Sequence, residues 1–211
     1  MPFRLRDCLP FSRFSTPPFT FLDPGPLIDA ELELVAPSEE WVDAVLAACR
    51  HPLSIQEAPA LADTSQKQLL DFLGACPGGR QPENPAKGLV PECHFWMRVT
   101  DRPEFPIAGG IGLRIASTYD TVMYSGHVGY HVYPPARGRH YAERACRMLL
   151  PLARRYGINP LWITCNPDNY ASRRTCERLG GKLVEIVPVP VQHALYQRGE
   201  TKKCRYRIDL A

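Results

Sequence analysis

No stretch of this 211-residue chain approaches the roughly 18–20 consecutive apolar residues of a membrane-spanning helix, so no bilayer crossing is expected. No N-terminal segment has the continuous apolar centre of a secretory signal. Net charge is only +3, and the basic residues form no long run. That argues against a nucleic-acid partner, which would need a basic stripe. No Cys-x-x-Cys occurs, and Cys93-His94, the one adjacent Cys/His pair, has no companion at ligand spacing, so no metal site is expected. Gly-x-x-x-x-Gly-Lys-Ser/Thr is missing, which excludes a phosphate-loop nucleotidase. Gly109-Gly-Ile-Gly112 lies inside a strand-like run rather than before a helix, so it is not a dinucleotide fingerprint. There is no internal repeat.

What the chain does contain is a balanced globular composition, 45% hydrophobic and 22% charged, at a length suited to one domain. Its eight cysteines are irregularly spaced, and several fall in apolar periodic segments. They read as small buried hydrophobes in a reducing, cytoplasmic setting. Fifteen of the 22 prolines precede residue 110, so the first half should be loop-rich. Residues 1–30 read as an irregular, proline-rich extension, and residues 31–211 as the domain proper.

Glu31 to Val35 alternates as a strand. Ser38 should cap a helix with Trp41, Val42, Val45, Leu46 and Cys49 inward, and Thr64 a second one with Leu69, Leu70, Phe72 and Leu73 inward. Pro77 to Pro91 reads as a long surface loop. Strands follow at 94–100, 107–117, where the glycines mark a bend, and 126–133. A helix from Tyr141 to Tyr156 has a clean apolar stripe, with Pro151 expected to kink it. Leu161 to Cys165 is the next strand, so strand, helix and strand form a parallel βαβ unit. A short helix from Asp168 or Asn169 to Leu179 stops at Gly180-Gly181. Two closing strands, 182–189 and 203–210, complete the chain.

Arg137-Gly-Arg-His-Tyr-Ala142 joins a strand to a helix. The first helical turn offers unpaired N–H groups and a partial positive charge. Gly138 lets the backbone approach a ligand, and Arg137 and Arg139 add full charges. Such a turn suits a pyrophosphate.

Pro134, Arg137 and Ala142 stand where the phosphate-loop signature of the GCN5-related N-acetyltransferase (GNAT) superfamily wants them. Asn169-Tyr-Ala-Ser172 through Glu177-Arg-Leu-Gly-Gly181 resembles its second signature. The resemblance runs from about Ile107 to Leu210 and more weakly back to Glu31. It implies an α/β fold, of the α+β mixed-sheet kind, whose splayed parallel strands bind coenzyme A between flanking helices. It implies transfer of an acetyl group from acetyl-CoA, the cosubstrate, to a primary amine in a ternary complex, the amine being a small molecule rather than a protein. In that reading Val132 and Tyr133 pair with the pantetheine. Amides of Arg137, Gly138, Arg139, His140, Tyr141 and Ala142 hold the pyrophosphate. Asn169 hydrogen-bonds the pantetheine arm, and Ser172 is a further coenzyme-binding residue. A monomer or homodimer is expected, with no nucleic-acid, membrane or metal partner.

Three positions depart from the family pattern. His140 replaces a glycine, and its side chain either crowds the pyrophosphate or donates to it. Cys176 stands where a tyrosine often protonates the leaving thiolate. His127 aligns with a strand glutamate that often acts as the base. Its reference pKa of about 6.5 suits base chemistry near neutral pH, and His131 shares its strand parity. Tyr170 is a spare acid, as is Tyr124. The second reading is a catalytically impaired acyl-CoA-binding sensor or interaction protein.

Overall fold

The structure, a computed structural model, describes residues 19–210. Most of the expected N-terminal extension, residues 1–18, lies outside the described part. The remainder is not a loose tail: Phe19 stacks on Tyr156 at 6.0 Å and packs edge-on against Phe21. Strand β1 (Ile28–Asp29) already pairs with β2 (Leu32–Val35), so ordered structure begins ahead of residue 31.

Helix α1 (Val42–Arg50) follows a single 3-10 turn. Ser38 occupies the cap position of that turn in an extended conformation but makes no side-chain cap bond. Val42, Val45, Leu46, Ala48 and Cys49 are buried. A short helix unforeseen from the sequence, α2 (Pro52–Glu57), turns straight off it. Pro52 suits the first helical position, where no N–H partner is needed. Helix α3 (Gln66–Ala75) is capped by Ser65, not Thr64. Ser65 and Gln68 make a reciprocal capping box, which Thr64 could not set up one residue earlier. Leu70 faces solvent while Leu69, Phe72 and Leu73 are half-buried. The expected long loop contains strand β3 (Arg80–Gln81), which pairs with β4 (Glu92–Val99).

Strand β5 (Ile107–Arg114) runs between β4 and β6 (Val128–Val132). Its glycines pair with β6, and the ladder with β4 shifts register beside Gly109, between Met97 and Arg98; at Gly109 a Cβ would lie 2.1 Å from the His131 carbonyl oxygen, so only glycine lets the two backbones approach. Helix α4 (Tyr141–Arg155) lies across the sheet. Tyr141, Ala145, Cys146, Leu149, Leu152 and Ala153 are buried. Pro151 is accommodated within its last turns on the exposed side. Arg144 anchors α4 to the first hairpin through Asp29 and Glu31, each at 2.6 Å, and its hydrogen bond, chiefly, lowers the Glu31 pKa.

Strand β7 (Leu161–Cys165) and helix α5 (Tyr170–Arg178) come next, then β8 (Lys182–Pro188), the short helix α6 (Ala194–Gln197) and β9 (Lys202–Ile208). The mixed sheet is split. One sheet has the order β1-β2-β4-β5-β6, with β3 on β4; the other is β7-β9-β8. Every registered pair among the described residues is antiparallel. The parallel neighbours of the βαβ unit, β6 and β7, share no ladder and splay apart. They are joined where His127 meets Trp162.

Candidate acetyl-CoA cleft

At the joint the two sheets are tied by His127. The His127 N–H donates to the Trp162 carbonyl at 2.7 Å, and the Trp162 N–H donates to His127 Nδ1 at 2.9 Å. With Nδ1 accepting, the proton sits on Nε2, which lies 3.1 Å from Ser117 Oγ. His127 has no exposed surface, and burial, with the Arg114 charge adding to it, lowers its pKa to about 4. Both nitrogens are engaged inside the fold, so His127 is not a base facing the cleft. It is the joint between the sheets. Strand parity gave no hint of this, because the partner that occupies it lies 35 residues away.

Beyond the joint the strands open into a cleft of about 620 Å³. Tyr130, His131 and Val132 of β6 form one wall, and Asn169, Ala171, Ser172, Arg174, Thr175 and Arg178 of the α5 region the other. Arg137, Gly138, Arg139, His140, Tyr141 and Ala142 close its end. The cleft thus gathers Val132, the whole loop, Asn169 and Ser172, and leaves Tyr133, Tyr170 and His127 outside.

Tyr133 is outside because its ring is buried and its amide donates to the Ala108 carbonyl at 2.8 Å. Antiparallel alternation turns the N–H and C=O of Tyr130 and Val132 the other way, onto the open edge. The edge that a pantetheine could pair with is therefore Tyr130 and Val132, not Val132 and Tyr133. Tyr170 is 67% exposed, with the Arg173 guanidinium over its ring, and does not reach the cleft. Tyr124 is buried in a separate cluster with Val187 and Val189.

The loop presents backbone N–H groups and guanidinium groups at one end of the cleft. Gly138 takes φ +82°, which only glycine adopts without strain. His140 takes φ 58° at the cap position of α4 and makes no side-chain cap bond, so the first-turn N–H groups stay available. Its ring does not fill that end of the cleft: it accepts a hydrogen bond from the Arg178 guanidinium on α5. Arg178 also lies 3.7 Å from Glu143. Arg137 is tied to Glu57 of α2 at 2.6 Å, and its Nε donates to the Val132 carbonyl. Arg174 has no ion pair or hydrogen bond among the described residues. Four arginines around one cleft, over an uncapped helix start, fit a ligand with several phosphates.

Asn169 is the cap of α5: its Oδ1 accepts the Ser172 N–H at 3.1 Å, which leaves its amide nitrogen as a donor. Cys176 is fully buried and cannot reach the cleft. Its hydrogen bond with Cys165, then burial, push its pKa up. His131 lies in the cleft with its ring over Gly110 and edge-on to Tyr133 at 5.1 Å. It is exposed along the cleft, and desolvation by the surrounding protein lowers its pKa, which favours the neutral ring at neutral pH.

The comparisons agree with this geometry. The family model described as acetyltransferase (GNAT) domain matches residues 31–182. The chain belongs to the GNAT acetyltransferases. No curated protein sequence matches it. Among solved structures, the microcin C7 self-immunity acetyltransferase MccE, in complex with acetyl-CoA and AMP, superposes with a TM-score of 0.62 at 15% identity, over 86% of this chain and 93% of that one. RimL, a ribosomal L7/L12 α-N-protein acetyltransferase in complex with coenzyme A, gives 0.61 at 18% identity, over 87% and 96%. A GNAT-family acetyltransferase from Bacillus anthracis gives 0.60 at 14%, over 87% and 98%. At these identities the superpositions establish the fold alone. Acetyl-CoA-dependent acyl transfer follows from the family.

Proposed function

We propose that this GNAT domain transfers the acetyl group of acetyl-CoA directly to a primary amine, a small molecule rather than a protein, and that His131 accepts the amine proton. The carrying observation is the cleft itself: an arginine-lined phosphate cradle at one end and a neutral, unpartnered imidazole on the strand wall. Arg137, Arg139, Arg174, Arg178 and the α4 amides would hold the diphosphate, and Asn169 and the open edge of β6 the pantetheine arm.

The chemistry asked of the protein is modest. An ammonium must lose a proton to become a nucleophile, and the developing oxyanion needs donors. The outward N–H groups of β6 are such donors, and His131 lies beside them. The second reading, an acyl-CoA sensor without catalysis, is favoured by Cys176, which occupies the usual tyrosine position but cannot reach the cleft. Release of free CoA thiol with a panel of small amines and peptide N-termini decides between them. Amine-dependent release supports transfer. Tight acetyl-CoA binding without release on any amine would leave the sensor.

A further inference from the structure

We propose that Glu57 stands in for the coenzyme's diphosphate at Arg137 in the empty protein, and that acetyl-CoA, by drawing Arg137 onto its own phosphates, releases Glu57 to receive the ammonium form of the acceptor. The inference rests on the acetyl-transfer reading above and adds the carboxylate that meets the amine.

One guanidinium makes two contacts that the coenzyme must undo. Arg137 Nη1 donates to Glu57 Oε2 at 2.6 Å, and Arg137 Nε donates to the Val132 carbonyl at 3.3 Å. That carbonyl belongs to the open edge of β6, where a pantetheine would pair. Glu57 has no other ion pair or side-chain hydrogen bond among the described residues. The two side chains are 50% and 47% exposed. A pair so exposed contributes little to stability, so its consequence lies in what it occupies. Glu143, the other carboxylate beside the loop, stays paired to Arg147 on its own helix at 3.0 Å.

A diphosphate offers Arg137 more negative charge than one carboxylate, in a geometry that suits the guanidinium fork. Helix α2 packs on the turn Pro134–Ala136 just before Arg137. Glu57 is therefore held in place while the long arginine side chain turns to its new partner. The turn vacates the Val132 carbonyl for the pantetheine and leaves Glu57 unpaired, one guanidinium away from the strand that carries His131. An unpaired carboxylate there attracts a cation. A primary alkyl amine arrives as one, because it is protonated at neutral pH as a lysine side chain is. Glu57 thus selects charged alkyl amines over neutral amines, and His131 takes the proton.

The test is Glu57→Gln, which keeps the shape and removes the charge, read by calorimetry. Acetyl-CoA should bind the variant roughly fivefold more tightly, the upper worth of an exposed ion pair that no longer competes. In an Arg137→Ala background the same substitution should leave the acetyl-CoA affinity unchanged, since the competition runs through that guanidinium. The parent's CoA complex should bind benzylamine, an ammonium at neutral pH, more tightly than benzyl alcohol, which has the same shape without the charge. The free parent and the variant's CoA complex should show no such preference. The variant should melt near the parent. An unchanged acetyl-CoA affinity in Glu57→Gln would overturn the exchange, as would an equal gain in both backgrounds, which marks distant repulsion, or a clearly lower melting point, which marks a structural pair. A parent complex without the benzylamine preference, or a variant that retains it, would overturn the acceptor role. None of these measurements needs turnover. A parent that binds acetyl-CoA but acetylates no amine defeats the transfer reading, while the affinities still decide whether Glu57 and the coenzyme share Arg137.

Discussion

Two nearby positions in the phosphate loop share a left-handed backbone, strained at the histidine and unstrained at the glycine. Gly138 and His140 both have positive φ, at 82° and 58°. For an L-residue that conformation costs roughly 1–2 kcal/mol. Gly138→Ala is therefore expected to destabilise by about that amount, although a Cβ there meets no atom. His140→Gly should stabilise by about 1 kcal/mol or less, since glycine's larger unfolded-state entropy offsets part of the relief. Urea denaturation of the two variants should give opposite signs, and equal signs would refute the strain account. The cleft histidine gives a second prediction. His131→Ala should lower kcat by roughly 10²–10⁴-fold, as loss of a positioned base does. Because desolvation depresses its pKa, the parent's activity should be full at neutral pH and fall only below the ordinary histidine value of about 6.5. A pH–rate profile with no such limb, or one retained in the variant, would move the base elsewhere.

Helix α5 shows one residue serving two ends. Asn169 Oδ1 caps the helix, and its amide nitrogen remains free to meet a ligand. Asn169→Ala should cost about 1 kcal/mol of stability and also weaken acetyl-CoA binding. Asn169→Ser keeps the cap and loses only the amide donor, so stability should be near the parent's while Kd rises roughly fivefold, the worth of one net hydrogen bond of about 1 kcal/mol. Calorimetry of both variants separates the roles. Elements of this kind were legible from sequence because their signals are local: β7 appears at the expected residues, and α5 starts at the expected cap. The loop that closes the cleft was legible for the same reason, as six consecutive residues. What was not legible depends on distant partners. Glu57 meets Arg137 across 80 positions, and α2 has too few residues to show a period. Tyr133 looked like an edge residue until its pairing with Ala108 fixed which amides turn outward. His127 and His131 share a parity, and only the Trp162 contact tells the joint from the open wall.

At the scale of the whole molecule, two antiparallel sheets meet at the joint and open into the cleft beyond it. A ligand seated there touches β6 of one sheet and helix α5, which packs on β7 and β8 of the other, so acetyl-CoA should stabilise the entire domain: at a hundred times Kd, by about 2.7 kcal/mol. The joint itself carries the last prediction. His127 is neutral in the fold with a pKa of about 4, against about 6.5 when unfolded. Below pH 6.5 the unfolded chain takes up a proton that the folded chain refuses. Stability from this residue is therefore full above pH 6.5 and lost as pH falls towards 4, by an amount on the order of 3 kcal/mol. His127→Ala should remove that acid-side slope. At neutral pH it should cost on the order of 3 kcal/mol, because the Trp162 N–H and the Ser117 hydroxyl lose a buried partner and a fully buried ring leaves a cavity. Urea midpoints measured from pH 4 to 8, with and without acetyl-CoA, test both points together. The parent's curve should fall on the acid side and the variant's should stay flatter, and added acetyl-CoA should raise the parent across the neutral range. If instead the variant keeps the parent's stability and acid slope while losing only turnover, His127 is part of the chemistry and the two sheets are held at their angle by something else.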